Sequence, residues 1–301
     1  MHYIEPNKDY RSQSNNEDSP EAVRAAAVKH YDACYRDYLF AWSSRNDLAL
    51  HYGYWDENTD SHPQSLLNKN QKLYDAANIQ PDEYVLDAGC GIGGSSIWMA
   101  KNYKNQLKAI TISAKQAYYA GQHAKRHGVA ENIDFEVSDF CQTPYADETF
   151  DVVWGLESVC HALNKADFIR EAFRILKKGG RLVVCDGFLI QREVADEDWP
   201  AMIDCLDGWA VPNLCLRKEF STYLTEQGFS HINYEDITAQ TLPSADYMYK
   251  VSKRLEPVQK ISQWLGLRSA TQTANFKVGL AQHHLFQKKL VEYGIFTAQK
   301  V

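Results

Sequence analysis

The chain has 301 residues, 45% apolar and 24% charged, the balance of an ordinary globular protein. A net charge of −7 argues against a general nucleic-acid binder, and no apolar run approaches the roughly 20 residues of a membrane helix. Met1–Ser19 is polar without an apolar signal core, so secretion is not expected. The seven cysteines, an odd number scattered along the chain, read as reduced thiols in a cytoplasmic protein.

Residues 1–18, rich in Ser, Asn, Asp and Glu, are expected to form a disordered tail. Ser19-Pro20 then supplies a cap residue and a first-turn proline. In the helix that follows, Val28, Tyr31, Tyr35, Tyr38 and Trp42 recur at steps of three and four. That aromatic stripe fits a helix packed on the main domain, or a lid whose rings, Tyr31 among them, face ligands. His51-Tyr52-Gly53-Tyr54-Trp55-Asp56 is too aromatic and too broken by glycine for a regular helix. Residues 62–79 read as a helix that ends at Ile79-Gln80-Pro81-Asp82. The span 19–80 is thus expected as an N-terminal helical lid.

Tyr84-Val85-Leu86 reads as a buried strand and Ile97-Trp98-Met99-Ala100 as a helix, with Asp87-Ala88-Gly89-Cys90-Gly91-Ile92-Gly93-Gly94 between them. Glycine serves where the backbone takes positive φ or where a ligand comes close. A helix start adds free N–H groups and a positive dipole end. No Gly-Lys-Ser/Thr follows, which disfavours a triphosphate loop. Further strands are expected at 107–112, 133–137, 150–154, 181–186, 232–237 and 293–298, with helices between. The fold class is therefore α/β: a Rossmann-like, seven-stranded, mostly parallel sheet with helices on both faces and a helical cap. The core occupies 81–190. Residues 191–301 complete the catalytic domain with a cap inserted before the last strand. Ligands of such sheets sit at the carboxyl ends of the strands.

The spacing Asp-x-Gly-x-Gly-x-Gly-Gly resembles the first motif of class I S-adenosylmethionine-dependent methyltransferases. Ala109-Ile110-Thr111-Ile112-Ser113-Ala114-Lys115-Gln116 and Glu157-Ser158-Val159-Cys160-His161 resemble segments of the tocopherol, sterol-like and cyclopropane-synthase branch. The aromatic turn at 51–56 is similar to one that precedes the core in that branch. The resemblance covers roughly residues 20–301 and is strongest over 85–190. It implies S-adenosylmethionine as cofactor, held by Asp87, Gly89, Cys90, Gly91 and Gly93. Thr111, Ile112 and Gln116 would serve the ribose, and Asp139 and Phe140 the adenine. It places Glu157 and His161 beside the transferred methyl as catalytic residues, and Tyr31, His51, Tyr52 and Trp55 around the acceptor. A carboxylate next to an imidazole can orient it and keep it basic.

The expected activity is methyl transfer to a small, largely apolar acceptor, leaning toward carbon methylation of an isoprenoid-like or aromatic compound. N- or O-methylation of a small metabolite or alkaloid-like amine is the alternative, and a non-catalytic cofactor-binding protein a further one. No Asn/Asp-Pro-Pro-Tyr/Phe segment follows the fourth strand, which with the charge disfavours a nucleic-acid substrate. His123 and His127 share a helix face without a third ligand at a recognised spacing, so no metal is expected. Met248–Val291 carries eight Lys or Arg against Glu256 alone, which fits a solvated helical face first and, as the sharper alternative, a contact that gathers an anionic or membrane-embedded acceptor. The oligomeric state is left open, a homodimer included.

Overall fold

The computed structural model of the protein describes residues 1–11, 18–42 and 47–301. The chain runs β1 (His2–Tyr3), α1 (Pro20–Ala41), α2 (His62–Ala76), β2 (Tyr84–Ala88), α3 (Gly94–Tyr103), β3 (Gln106–Thr111), α4 (Ala114–His127) and β4 (Ile133–Val137). It continues through β5 (Phe150–Leu156), α5 (Lys165–Ile175), β6 (Leu176–Leu189), β7 (Glu193–Val194), α6 (Trp199–Trp209) and α7 (Arg217–Gln227). It closes with β8 (Phe229–Asp236), α8 (Thr238–Trp264), α9 (Ala270–Gln287) and β9 (Val291–Lys300).

Among the described residues seven strands form one sheet in the order β4-β3-β2-β5-β6-β9-β8. The run from β4 to β6 is parallel, and β9 lies antiparallel between β6 and β8. This is the α/β architecture expected from the sequence. Both faces are covered because side chains alternate along each strand. Val85, Leu107, Val152 and Trp154 pack with Ile97, Met99 and Ala124 of α3 and α4. Leu86, Ile110, Val153 and Val184 pack on the opposite face with Phe168, Ile169 and Ala172 of α5. Strand order reverses between β2 and β5, so their carboxyl ends open side by side, where ligands of open α/β sheets bind.

The helical cap lies between β8 and β9. The α8–α9 hairpin packs on α6, and α9 also meets α1. Ser269 and Gln272 form a capping box that starts α9. Ser19 caps α1 by accepting from the N–H of Ala22 at 3.1 Å.

The N-terminal residues depart from the expectation of a disordered tail, although 12–17 lie outside the described residues. His2 and Tyr3 pair antiparallel with Val194 and Glu193. Ile4 is fully buried among Leu189, Val194 and Met202, and its N–H donates to the Arg192 carbonyl at 3.0 Å. Asp9 and Arg11 form a buried ion pair. The composition is polar, yet one isoleucine in the right place and a row of backbone hydrogen bonds suffice to hold the arm. Ile4→Ala should therefore cost about 2–5 kcal/mol of unfolding free energy, as for other buried isoleucines. Urea denaturation checks this, and a loss well below about 1 kcal/mol would place the arm outside the cooperative core.

Candidate active site

The glycine loop after β2 is held from below. The N–H groups of Gly89 and Cys90 both donate to the Ile110 carbonyl, at 3.0 and 2.8 Å. Gly89 has φ 104°, and a Cβ there would stand 2.3 Å from the Cβ of Ser158. Gly91, φ 54°, turns its bare α-carbon toward Leu50 and the amide of Gln116. Gly93, expected among the cofactor contacts, instead lies behind the loop against Phe135 and Ala120.

Asp87, Gly89, Cys90, Gly91, Thr111 and Ile112 line one cleft above this loop, together with Gln116, Phe140, Glu157 and His161. The Thr111 hydroxyl donates to Gln116 Oε1 at 2.7 Å, which leaves the amide's NH₂ turned toward Gly91. Ser96 donates to Asp87 Oδ2 at 2.5 Å, and burial pushes the Asp87 carboxyl up to about 7. Among the described residues lining the cleft there are two carboxyl groups and no lysine or arginine. Such a donor set suits a cationic ligand and not a phosphate. It fits the sulfonium and ammonium of S-adenosylmethionine, with Asp87, the loop backbone, Thr111, Ile112 and Gln116 to hold the cofactor.

Asp139 was expected to accept from the adenine. The structure ties it elsewhere: Arg24 of α1 donates to Oδ2 at 2.6 Å, and the Cys141 N–H donates to Oδ1 at 2.8 Å. It lines a cavity that adjoins the cleft and shares Ala27, Ile112, Phe140 and His161 with it. Arg24–Asp139 is one of several latches that seat α1 over the cleft. Ser113 and Lys115 of the β3–α4 turn also bond Asp32, and Tyr35 stacks on Tyr119 at 4.4 Å.

A second cavity lies between the sheet and the cap. Tyr31, His51 and Tyr52 line it, and so do Glu157 and His161. Trp55 does not. Its indole N–H donates to Ser244 Oγ at 2.9 Å and its backbone N–H to the Gln240 carbonyl at 2.9 Å, so it pins the aromatic turn to α8. Tyr38, Trp209, Phe286 and Tyr293 complete the aromatic walls. His51 gives its Nδ1 proton to the Tyr52 carbonyl at 2.9 Å. Its buried Nε2 has no partner among the described residues, and burial pushes its pKa down to about 3.

Glu157 and His161 are both present, but they are not bonded to each other. Glu157 sits at the end of β5 with φ 49°, a left-handed conformation that costs energy for a residue with a Cβ. Its carboxyl accepts from the Tyr52 N–H at 2.7 Å and from the Tyr293 hydroxyl. Burial raises its pKa to about 7, against the pull of the Lys69 ammonium and these two donors. His161 gives Nδ1–H to the Ala210 carbonyl at 3.3 Å, so Nε2 is the bare nitrogen and accepts from Tyr31 at 2.9 Å. Burial lowers its pKa to about 4, which keeps the imidazole neutral. The pairing fails because the 3₁₀ turn Val159–His161 carries the imidazole toward α1, whereas the Glu157 side chain reaches under the aromatic turn.

Sequence reasoning missed Tyr293, Asp186 and Lys69. Asp186 ends the parallel portion of β6 and accepts from the N–H groups of Cys160 and Gly187, at 2.8 and 3.0 Å. An acid at a strand's carboxyl end was the available signal. Lys69 of α2 is fully buried, its ammonium 4.3 Å from the Tyr293 ring centroid and 3.9 Å from Cys185 Sγ. Its spacing, three residues after Leu66 and four before Leu73 on the buried face of α2, was the available signal.

Gly91→Val should force a β-branched side chain into positive φ with its Cβ 3.3 Å from Leu50. S-adenosylmethionine affinity by calorimetry should fall at least about tenfold, about 1.4 kcal/mol, in a variant that still unfolds cooperatively. Unchanged affinity in a folded variant would remove this loop from the cofactor site.

The chain is similar to known methyltransferases. A family model described as a methyltransferase domain matches residues 86–184. The chain is 30% identical over 277 residues to the 27-O-demethylrifamycin SV methyltransferase of Amycolatopsis mediterranei (strain S699), covering 90% of this chain and 96% of that protein. It is 25% identical over 304 residues to the chloroplastic tocopherol O-methyltransferase of Arabidopsis thaliana, covering 94% and 84%. Its fold superposes on the geranyl diphosphate C-methyltransferase of Streptomyces coelicolor A3(2), crystallised with S-adenosyl-L-homocysteine, at a TM-score of 0.70 with 18% identity, covering 93% and 98%. With a cleft built for a cationic cofactor and a relative of this identity over nearly the whole chain, the protein belongs to the class I S-adenosylmethionine-dependent methyltransferases.

Proposed function

We propose that this methyltransferase acts on a small, largely apolar, isoprenoid-like or aromatic acceptor held in the aromatic cavity, and that Glu157 and His161 take up the departing proton. One observation carries the reading: Glu157 and His161, with Tyr31, Leu50 and His51, line both the cofactor cleft and the aromatic cavity. They stand at the boundary that a transferred methyl has to cross. When bound, the cofactor supplies an electrophilic methyl group on a sulfonium. The protein's part is to align the acceptor and exclude water.

Transfer to carbon is the reading the cavity supports best. Attack by an alkene or an aromatic ring leaves positive charge on the acceptor. Tyr31, Tyr38, Tyr52, Trp209, Phe286 and Tyr293 surround that space, and ring faces stabilise a cation. The ionised Glu157 then accepts the proton lost from the methylated carbon. A hydroxyl acceptor is the second reading. The bare Nε2 of His161, turned to Tyr31, is a ready acceptor for a hydroxyl proton, and both relatives compared above have names that specify an oxygen.

Glu157 is protonated below about pH 7 in the free enzyme and His161 is neutral above about 4. Of this pair only Glu157 titrates between these values, beside Asp87 raised to about 7 and Asp186 raised to about 6, so kcat/KM measured with subsaturating cofactor should rise through about 7 as pH increases. Tyr293→Phe removes a hydrogen bond that favours the carboxylate and should move this limb to higher pH. Glu157→Gln should reduce it to the share carried by Asp87 and Asp186 and slow turnover by about 10²–10⁴, whereas His161→Ala should slow turnover by a similar factor and leave the limb in place. A limb that stays in place in Glu157→Gln excludes this carboxyl as the titrating group.

The acceptor class is tested by turnover with S-adenosylmethionine carrying a ¹³C-methyl, against prenylated hydroquinones, phenols and prenols beside small polar amines. Carbon-13 NMR of the product distinguishes a C-methyl from an O-methyl group. A C-methylated apolar product is expected. Turnover confined to polar amines would overturn the proposal.

A further inference from the structure

The cap exposes an apolar cluster that the folded chain does not use. Val258 and Ile261 are each 59% exposed, Trp264 84%, Leu265 54% and Leu267 70%, all within ten residues at the α8–α9 turn. On α8, Lys250, Arg254, Val258, Ile261 and Leu265 follow one stripe at helical spacing, and Lys253, Lys260 and Trp264 fall beside it. Glu256 is the only acid between residues 248 and 267, in a chain whose net charge is −7. Cations above and apolar side chains at the tip form the pattern of a segment that meets an anionic lipid surface. An exposed tryptophan at such a tip matches the residue favoured at the membrane–water interface.

The position of the tip gives it a purpose. A cavity of about 200 Å³ runs beneath α8 and α9, lined by Leu255, Val258, Phe276 and Gly279. It shares Tyr38, Trp42, Trp209 and Met248 with the aromatic acceptor cavity. Val258 thus belongs at once to the exposed patch and to the apolar passage leading inward. The lysines at the other end of the hairpin play no part in this. α9 is 18 residues long, which sets Lys288 and Lys289 about 27 Å from the tip, whereas Lys253 and Lys260 lie beside it and share the one acid Glu256, at 3.6 and 2.9 Å.

We propose that the α8–α9 tip, Val258–Leu267, docks on an anionic lipid bilayer and sets the mouth of the apolar passage at its surface. The passage takes its meaning from the apolar acceptor proposed above, whereas docking itself does not depend on it. A second copy of the chain is a poorer occupant, because ten residues fall well short of the 20–30 that a stable interface uses on each side.

The test is co-sedimentation of the whole protein with vesicles of phosphatidylcholine alone, or of phosphatidylcholine and phosphatidylglycerol at three to one. Salt is set at about 0.1 M and about 1 M, where the screening length falls from about 10 Å to about 3 Å. The protein should prefer the anionic vesicles at low salt and lose that preference at high salt. Trp264→Ser/Leu267→Ser should weaken binding to both vesicle types at least about tenfold. Lys253→Glu/Lys260→Glu should remove the anionic preference, at about fivefold or more per lysine. Circular dichroism and cofactor affinity should stay as in the parent in both variants. Equal binding of parent and variants overturns the proposal. So does a dimer of the parent that Trp264→Ser/Leu267→Ser splits into monomers. No acceptor or turnover enters the measurement, so its failure and a failure of the acceptor reading are distinguishable.

Discussion

The site depends on one close contact between two strand ends. Gly89 of the β2 loop and Ser158 of the β5 turn approach so closely that a Cβ on the glycine would overlap the serine. The Ser158 hydroxyl donates across the same gap to the Ala88 carbonyl at 2.5 Å. β2 and β5 are neighbours only because the strand order reverses there. The contact fixes the loop that cradles the cofactor against the turn that carries Glu157 and His161. A larger residue at either position would part the cleft from the acceptor cavity. Reaction geometry in this chain is thus set by backbone packing, and the side chains inherit it.

Burial sets the electrostatics. Asp87, Glu157 and Asp186 are all raised, to about 7, 7 and 6, while His161 is lowered to about 4. Near pH 7 Asp87 and Glu157 are therefore close to half protonated, and the imidazole is neutral. A cationic cofactor shifts the balance for the carboxyls, because positive charge in a low-dielectric cleft favours their ionised form. The Tyr52 N–H and the Tyr293 hydroxyl favour the same form of Glu157.

Legibility in the sequence followed the range of the forces involved. The glycine loop, the strand run from Tyr84 to Asp186 and the cap helices were readable because periodicity, caps and turn residues act over a few positions. So was the arrival of Asp87, Thr111, Ile112, Gln116, Glu157 and His161 at one end of the sheet, since parallel strands point their carboxyl ends the same way. Tyr293 was not readable, because β9 runs antiparallel and presents its amino end where the others present their carboxyl ends. Lys69 falls on the Leu66–Leu73 face of its helix, but its partners Cys185 and Tyr293 come from strands more than a hundred residues away. Asp139 and Trp55 were assigned by motif, and tertiary partners claimed both, Arg24 for the carboxylate and Ser244 for the indole. The N-terminal arm misled for the opposite reason: its composition is polar, and its order comes from Arg192, Val194 and Asn213, nearly two hundred residues away.

Arm, lid and cap share one physical task. Attack on a sulfonium methyl competes with water, so the acceptor space has to be closed on every side that the sheet leaves open. The sheet supplies only the floor, through Glu157, Asp186 and Tyr293. α1 closes one side with Tyr31 and Tyr38, and Arg24, Asp32 and Tyr35 latch it to the core. The hairpin closes the other with Met248, Gln282 and Phe286. The arm buttresses α6, whose Cys205, Leu206 and Trp209 form the third wall, by burying Ile4 against Met202. Three peripheral segments therefore line the cavity beside the strand ends, whereas the core supplies its floor. Acceptor identity should accordingly vary with the stripe on α1 and the α8–α9 hairpin while the loop at Gly89–Gly94 stays as it is.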